Sequence, residues 1–146
     1  MQLNSLQIRF YKFIYKHKVK YLYIPLALYW MILLAATSIP ANSMPSFGIS
    51  DKFEHFAAYF VLSVLFSLTL FLQERNEYLK KYFNVYSISI LLFYGIFDEV
   101  HQFFIPGRFF DWLDLLSNLI GIVSGVYLVR KYFVLPLLSV IKTLNK

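Results

Sequence analysis

An all-α, polytopic membrane protein with four transmembrane helices and an N-terminal amphipathic interfacial helix is the fold class this sequence predicts. Three observations predict it: too little charge for a soluble chain, four long apolar stretches, and a one-sided distribution of Lys and Arg. Hydrophobic residues make up 59% of the 146 and charged residues 15%, too few to cover the surface of a soluble domain this small. The apolar stretches are continuous rather than alternating, so closed barrels are excluded and helices remain. There is no cysteine, which excludes disulfides and thiolate metal sites.

Taken in order, residues 1–20 carry Leu3, Leu6, Phe10, Phe13, Ile14 and His17 at helical spacing, with Arg9, Lys12, Lys16 and Lys20 on another face. A basic amphipathic helix on an anionic leaflet is expected there. The four-helix domain then spans 21–134. Its spans fall at about 22–39, 53–72, 85–104 and 112–133, each close to the roughly 20 residues that a helix needs to cross the hydrocarbon. The first is read as an uncleaved helix, since its basic leader and apolar run are both longer than those of a signal peptide. Residues 135–146 form a short tail. Of the 14 Lys and Arg, all but Lys52 and Arg108 precede the first span, lie between the second and third, or close or follow the fourth. The positive-inside rule places those segments, and both termini, in the cytoplasm of a multi-pass inner (plasma) membrane protein.

The acidic residues run the other way. Only Glu74 and Glu77 are cytoplasmic on this reading; Asp51, Glu54, Asp98, Glu99, Asp111 and Asp114 gather at the outer ends of spans two to four. Asp51, His55 and Tyr59 share one helix face, as do Asp98 and Gln102 with Tyr94 one turn away. Asp111, Asp114, Asn118, Gly121 and Gly125 form a stripe, and its small-xxx-small pair allows close helix approach, so this stripe should face other helices. Asp98 and Asn118 should lie roughly 9 Å inside the outer boundary. A carboxylate costs about 2.5–3.5 kcal/mol at a span centre, so several on three helices at one depth predict a shared polar pocket. The connection 105–111, turning at Pro106-Gly107, should close its mouth and hold Arg108 beside the carboxylates. Tyr59, Tyr94 and Asn118 taken alone read as interhelical glue. Glu54, Glu99 and His101 have a plainer reading, with their side chains toward solvent or headgroups.

These residues carry a resemblance. Asp51-Lys52-x-x-His55-x-x-x-Tyr59, then Asp98-Glu99-x-x-Gln102-x-x-x-Pro106-Gly107-Arg108, then Asp111-x-x-Asp114-x-x-x-Asn118-x-x-Gly121-x-x-x-Gly125, is similar to the VanZ-like family. That family is named for a protein associated with resistance to the glycopeptide teicoplanin. The resemblance implies a small polytopic membrane protein in which Asp51, His55, Asp98, Glu99, Gln102, Arg108, Asp114 and Asn118 form the shared site; it supplies no reaction.

Three functions are weighed on these residues. The first is a site for a lipid-linked phosphate or cell-wall intermediate. In it His55, Asp98 and Asp114, together with Asp51, would serve as acid and base or as ligands of a divalent cation (Mg²⁺, Mn²⁺ or Zn²⁺). Asp51, Glu99, Gln102, Arg108, Asp111 and Asn118 would line the binding surface, Arg108 as a fork on phosphate. If the protein is an enzyme, it would be a hydrolase or transferase; no nucleophile motif is present. The second is a non-enzymatic membrane protein whose outer cluster serves packing or docking. The third, an ion or proton path, finds almost no titratable groups in the inner halves of spans two to four to continue it. Membrane lipid is the expected partner. Nucleic acid is not, because topology accounts for the positive charge.

Overall fold

The computed structural model describes residues 5–43 and 50–144, with side chains over 8–40, 42–43 and 50–139. Leu3 lies outside the described residues, and Leu6 has no described side chain. Helices α1 (Ser5–Lys16), α2 (Ile24–Thr37), α3 (Asp51–Leu72), α4 (Glu77–Lys81), α5 (Phe83–Gln102), α6 (Trp112–Val129) and α7 (Leu135–Leu144) follow one another, with no strand among the described residues. Four helical segments are long and apolar enough to cross a membrane: Val19–Thr37, Asp51–Leu72, Phe83–Gln102 and Trp112–Ser139. These are the four stretches expected. Each starts at or a few residues before the expected position, and the last runs on to Ser139.

Prolines explain that continuation. Val19–Tyr23, just ahead of Ile24-Pro25, and Arg130–Val134, just ahead of Leu135-Pro136, are both π-turns. A proline has no amide to give the carbonyl four residues back, and its ring crowds that carbonyl. The helix widens instead: Ile24 N donates to Val19 O and Leu135 N to Arg130 O, each five residues back. The axis therefore passes each proline without breaking.

α3 and α6 make the most extensive contact in the bundle. A Cβ on Gly121 would fall 2.4 Å from Phe56 O, and one on Gly125 2.7 Å from Phe60 O, so the α6 backbone lies directly against that of α3. Ile122 and Val126 fill the neighbouring layer with Leu62 and Leu91. Ser67 Oγ donates to Ser87 Oγ at 3.0 Å, a buried polar link from α3 to α5. α2 attaches through rings: Trp30 packs on Tyr94 at 4.9 Å and on Phe66 at 5.6 Å, and Tyr29 OH donates to Ala58 O at 3.1 Å.

At the basic end, Leu22, Phe71, Leu72, Phe83, Val129 and Val134 form a second core. α1 lays Tyr11 and Ile14 on it, with the Tyr11 ring 5.1 Å from Phe133, and leaves Phe10 and Phe13 exposed. The amphipathic helix thus has two apolar edges, one spent on the bundle and one uncovered. Lys18 Nζ pairs with Glu74 Oε1 at 2.7 Å, and Tyr15 OH donates to the same oxygen. These contacts hold the Glu74 carboxyl below the usual range.

Candidate functional site

Four helix ends and one tight turn build the acidic end. α3 begins with Asp51 and Glu54 in its first turn, where the unpaired amides favour negative charge. α6 is capped by Asp111, whose Oδ1 accepts from Leu113 N at 2.8 Å. Between α5 and α6, Pro106 and Gly107 occupy the middle of a turn closed by Arg108 N donating to Ile105 O at 3.0 Å. Gly107 has φ +77°, which the third position of a type II turn requires and glycine supplies without strain. This turn sends Arg108 back over the bundle, where its Nε donates to Ile39 O at 3.4 Å.

Beneath it lies a cavity of about 110 Å³, lined by Asp51, Glu54, His55, Tyr59, Asp98, Gln102 and Arg108, with Leu33, Ala36, Thr37 and Ala58. The space suits several waters or one small polar group. Asp98, Glu99, Gln102, Asp114 and Asn118 are all buried. Glu99 is 1% exposed, so its expected orientation toward solvent is corrected. It is shielded on the bundle side, where its Oε2 accepts from Asp111 N at 3.3 Å and its Oε1 stands 3.8 Å from His55 Nδ1. Glu54 is half-buried and lines the cavity, again unlike the plainer expectation. His101 stacks on Phe97 at 6.2 Å and does not line the cavity.

The polar groups fall into two sets. In the first, His55 Nδ1 lies 3.1 Å from Asn118 Oδ1. In the tautomer that donates Nδ1–H to this oxygen, Nε2 presents its lone pair. Nε2 stands 3.8 Å from Asp51 Oδ1 and 3.9 Å from Asp114 Oδ2. Asp51, His55 and Asp114 could hold a metal ion, each offering a ligand atom within 4.8 Å of the others. A histidine that donates its second nitrogen to a neighbouring carbonyl is the usual arrangement behind a metal ligand. Asp98, which the sequence grouped with Asp51, His55 and Asp114, lies in the second set: its Oδ2 accepts from Tyr59 OH at 3.2 Å. Asp51 stands one turn from His55 on the same helix.

Lys52 was not among the expected site residues. Its Nζ donates to Asp111 Oδ2 at 2.6 Å, stands 2.7 Å from Asp114 Oδ1 and reaches Asp51 Oδ2 at 3.4 Å. One ammonium thus ties the start of α3 to the start of α6. The excess of acid over base at this end was the available signal. The second omission is α2, whose Leu33, Ala36 and Thr37 carry no charge to mark them as a cavity wall.

The Lys52 ammonium, with help from the Leu113 amide, holds the Asp111 carboxyl below the usual range. A carboxyl depressed in the folded state contributes stability that is present above its unfolded pKa, about 3.9, and disappears as pH falls through the folded value. Thermal unfolding in detergent should therefore be insensitive to this pair from neutral pH down to the ordinary carboxylate range and lose its contribution below. The acid-induced loss should be smaller in Asp111→Asn. An identical acid profile in that variant would contradict the linkage.

A bundle of four membrane-length helices, with buried carboxylates, a histidine and a guanidinium gathered around one small cavity, defines a multi-pass membrane protein with a polar site at one end. Across 5–135 the sequence matches the model of the VanZ/LLP1 family. The chain belongs to this VanZ-like family. No curated protein matches the chain, and no solved structure does.

Proposed function

We propose that the acidic-end cavity binds the phosphate of an envelope lipid or cell-wall intermediate on the outer face of the inner (plasma) membrane. Arg108 supports this reading most: a guanidinium over a cavity shared with His55, Asp98 and Gln102 is a fork for a phosphate oxygen pair. The cavity admits a headgroup rather than a lipid, and strongly exposed Phe103, Phe104, Phe109 and Trp112 offer the adjoining surface for tails. Sidedness rests on the Lys and Arg distribution, which puts the basic end and both termini in the cytoplasm. With it goes the expected division of the chain into an interfacial segment, a membrane domain from residue 21 and a tail, the domain's last span running on to Ser139 rather than ending at 134.

Three carboxylates line the cavity beside one arginine, so a phosphate would enter with a divalent cation. Asp51, His55 and Asp114 are the set suited to hold it, with two oxygens and one nitrogen that fit Mg²⁺, Mn²⁺ or Zn²⁺. His55 and Asp98 are placed to exchange protons with the bound group. An effect on glycopeptide susceptibility, teicoplanin included, would follow from occupying a cell-wall intermediate. Purified protein titrated with a polyprenyl phosphate tests the proposal: Arg108→Ala and Asp98→Asn should each weaken binding about ten-fold or more, and a chelator should weaken it in the wild type. Unchanged binding in both variants would overturn it.

A second reading has its own observation. His55 to Asn118, Tyr59 to Asp98 and Lys52 to Asp111 all join different helices, so the cluster would serve as packing or a docking surface. Under this reading Asp98→Asn lowers abundance and function together. Normal abundance with lost function would argue for the ligand site.

A further inference from the structure

At the opposite end, a cleft of about 560 Å³ opens between α4, the start of α5 and the π-turn that leads into α7. Lys80 and Lys81 come from the last turn of α4, and Arg130 from the first position of the π-turn. These three cations converge on the cleft, with Glu77 the one carboxylate lining it. Among the described residues none of the three cations has an ion-pair partner; Lys81 lies over the Tyr82 ring at 5.1 Å. Below the charges the walls are apolar: Phe71, Phe83 and Val134 are buried, while Leu135 and Leu138 are about half exposed on the outward side.

Arg130, Val134 and Leu138 follow one another at four-residue intervals through the π-turn into α7, and all three line the cleft.

We propose that this cleft is a binding site for an anionic phospholipid, independent of the acidic-end site. Lys80, Lys81 and Arg130 take the headgroup phosphate, and an acyl chain lies along Phe83, Leu135 and Leu138. A phosphate is the anion that three unpaired cations at a membrane boundary recognise, and the apolar wall directly below them distinguishes a lipid from a free phosphate.

The experiment uses the full chain, delipidated in detergent and titrated with phosphatidylglycerol or phosphatidylcholine while bound lipid is counted by native mass spectrometry. Phosphatidylglycerol should bind at least about ten-fold more tightly, at roughly five-fold per basic residue near a surface. Lys80→Gln/Lys81→Gln/Arg130→Gln should abolish the preference. Lys81→Gln alone, an exposed single change, should reduce it about five-fold and covers the case in which the triple variant does not fold. Lys12→Gln/Lys16→Gln on α1 should leave the preference intact. Excess inorganic phosphate should not displace the lipid. Equal affinity for the two lipids, a preference that survives the single and triple substitutions, or full displacement by inorganic phosphate would each overturn the proposal.

Discussion

Gly125→Ala is expected to separate α6 from α3 and to leave little folded protein. The added Cβ would fall 2.0 Å from Ser63 Oγ and 2.7 Å from Phe60 O. Ser63 can rotate away at the cost of its bond to Phe60 O, but the carbonyl belongs to a helix backbone and cannot. Gly121→Ala meets backbone alone, with Phe56 O at 2.4 Å and Phe60 N at 3.0 Å. Overpacking a tight contact typically costs about 1–3 kcal/mol, and a backbone clash with no flexible partner belongs at the upper end or beyond. Gly95→Ala is the control, since its Cβ would meet Tyr59 Cε1 at 3.5 Å, an ordinary contact. Unfolding midpoints of the three variants in a denaturing detergent should therefore fall sharply for Gly121 and Gly125 and hardly move for Gly95. Equal shifts in all three would mean that helix propensity, not close approach, selects these glycines.

The second large effect is expected at Lys52. Lys52→Ala removes the cation from between Asp111 and Asp114 and leaves Asp114, whose side chain is 8% exposed, without its counter-ion. Breaking a fully buried pair from one side costs about 3–5 kcal/mol. Lys52 is 37% exposed, so water recovers part of this, and about 1–3 kcal/mol is expected. The discriminating variant is the double one. Lys52→Ala/Asp114→Asn removes charge from both sides and should regain most of the lost stability. Additive losses in a double-mutant cycle would show that the two groups do not act on each other. The same cycle bears on the cluster's chemistry, because removing Lys52 also removes the cation that competes with a metal for Asp114.

The fold was legible because burial in lipid demands long apolar helices, and residues 53–72 and 85–104 have no other use for such composition. Most of the site was legible for a related reason. Carboxylates are costly inside a span, and Asp51 with His55, or Asp98 with Gln102, share a face by spacing alone. Partners across helices were not legible. Helical spacing places Tyr59 on the His55 face but does not say that it reaches Asp98, nor that Lys52 turns toward α6. Glu99 points about 100° around the helix from Asp98, so its burial depends on α6 covering a second face of α5. Thr37 and Leu33 carry no signal of their own. The π-turns did leave one: Pro25 and Pro136 both stand within apolar helical stretches, where an undistorted helix could not keep them.

The close approach of α6 to α3 has a further consequence for the site. Asp51, Lys52 and His55 stand on one of these helices, and Asp114 and Asn118 on the other, with Asp111 as its cap. Their spacing is therefore set by backbone resting on backbone, which has no rotamer to change. Asp98, Gln102 and Arg108 hang from α5 and its turn, and Leu33 and Thr37 from α2, helices that reach the pair through side chains. One wall of the cavity is thus a fixed jaw, and the other can adjust to what lies between them.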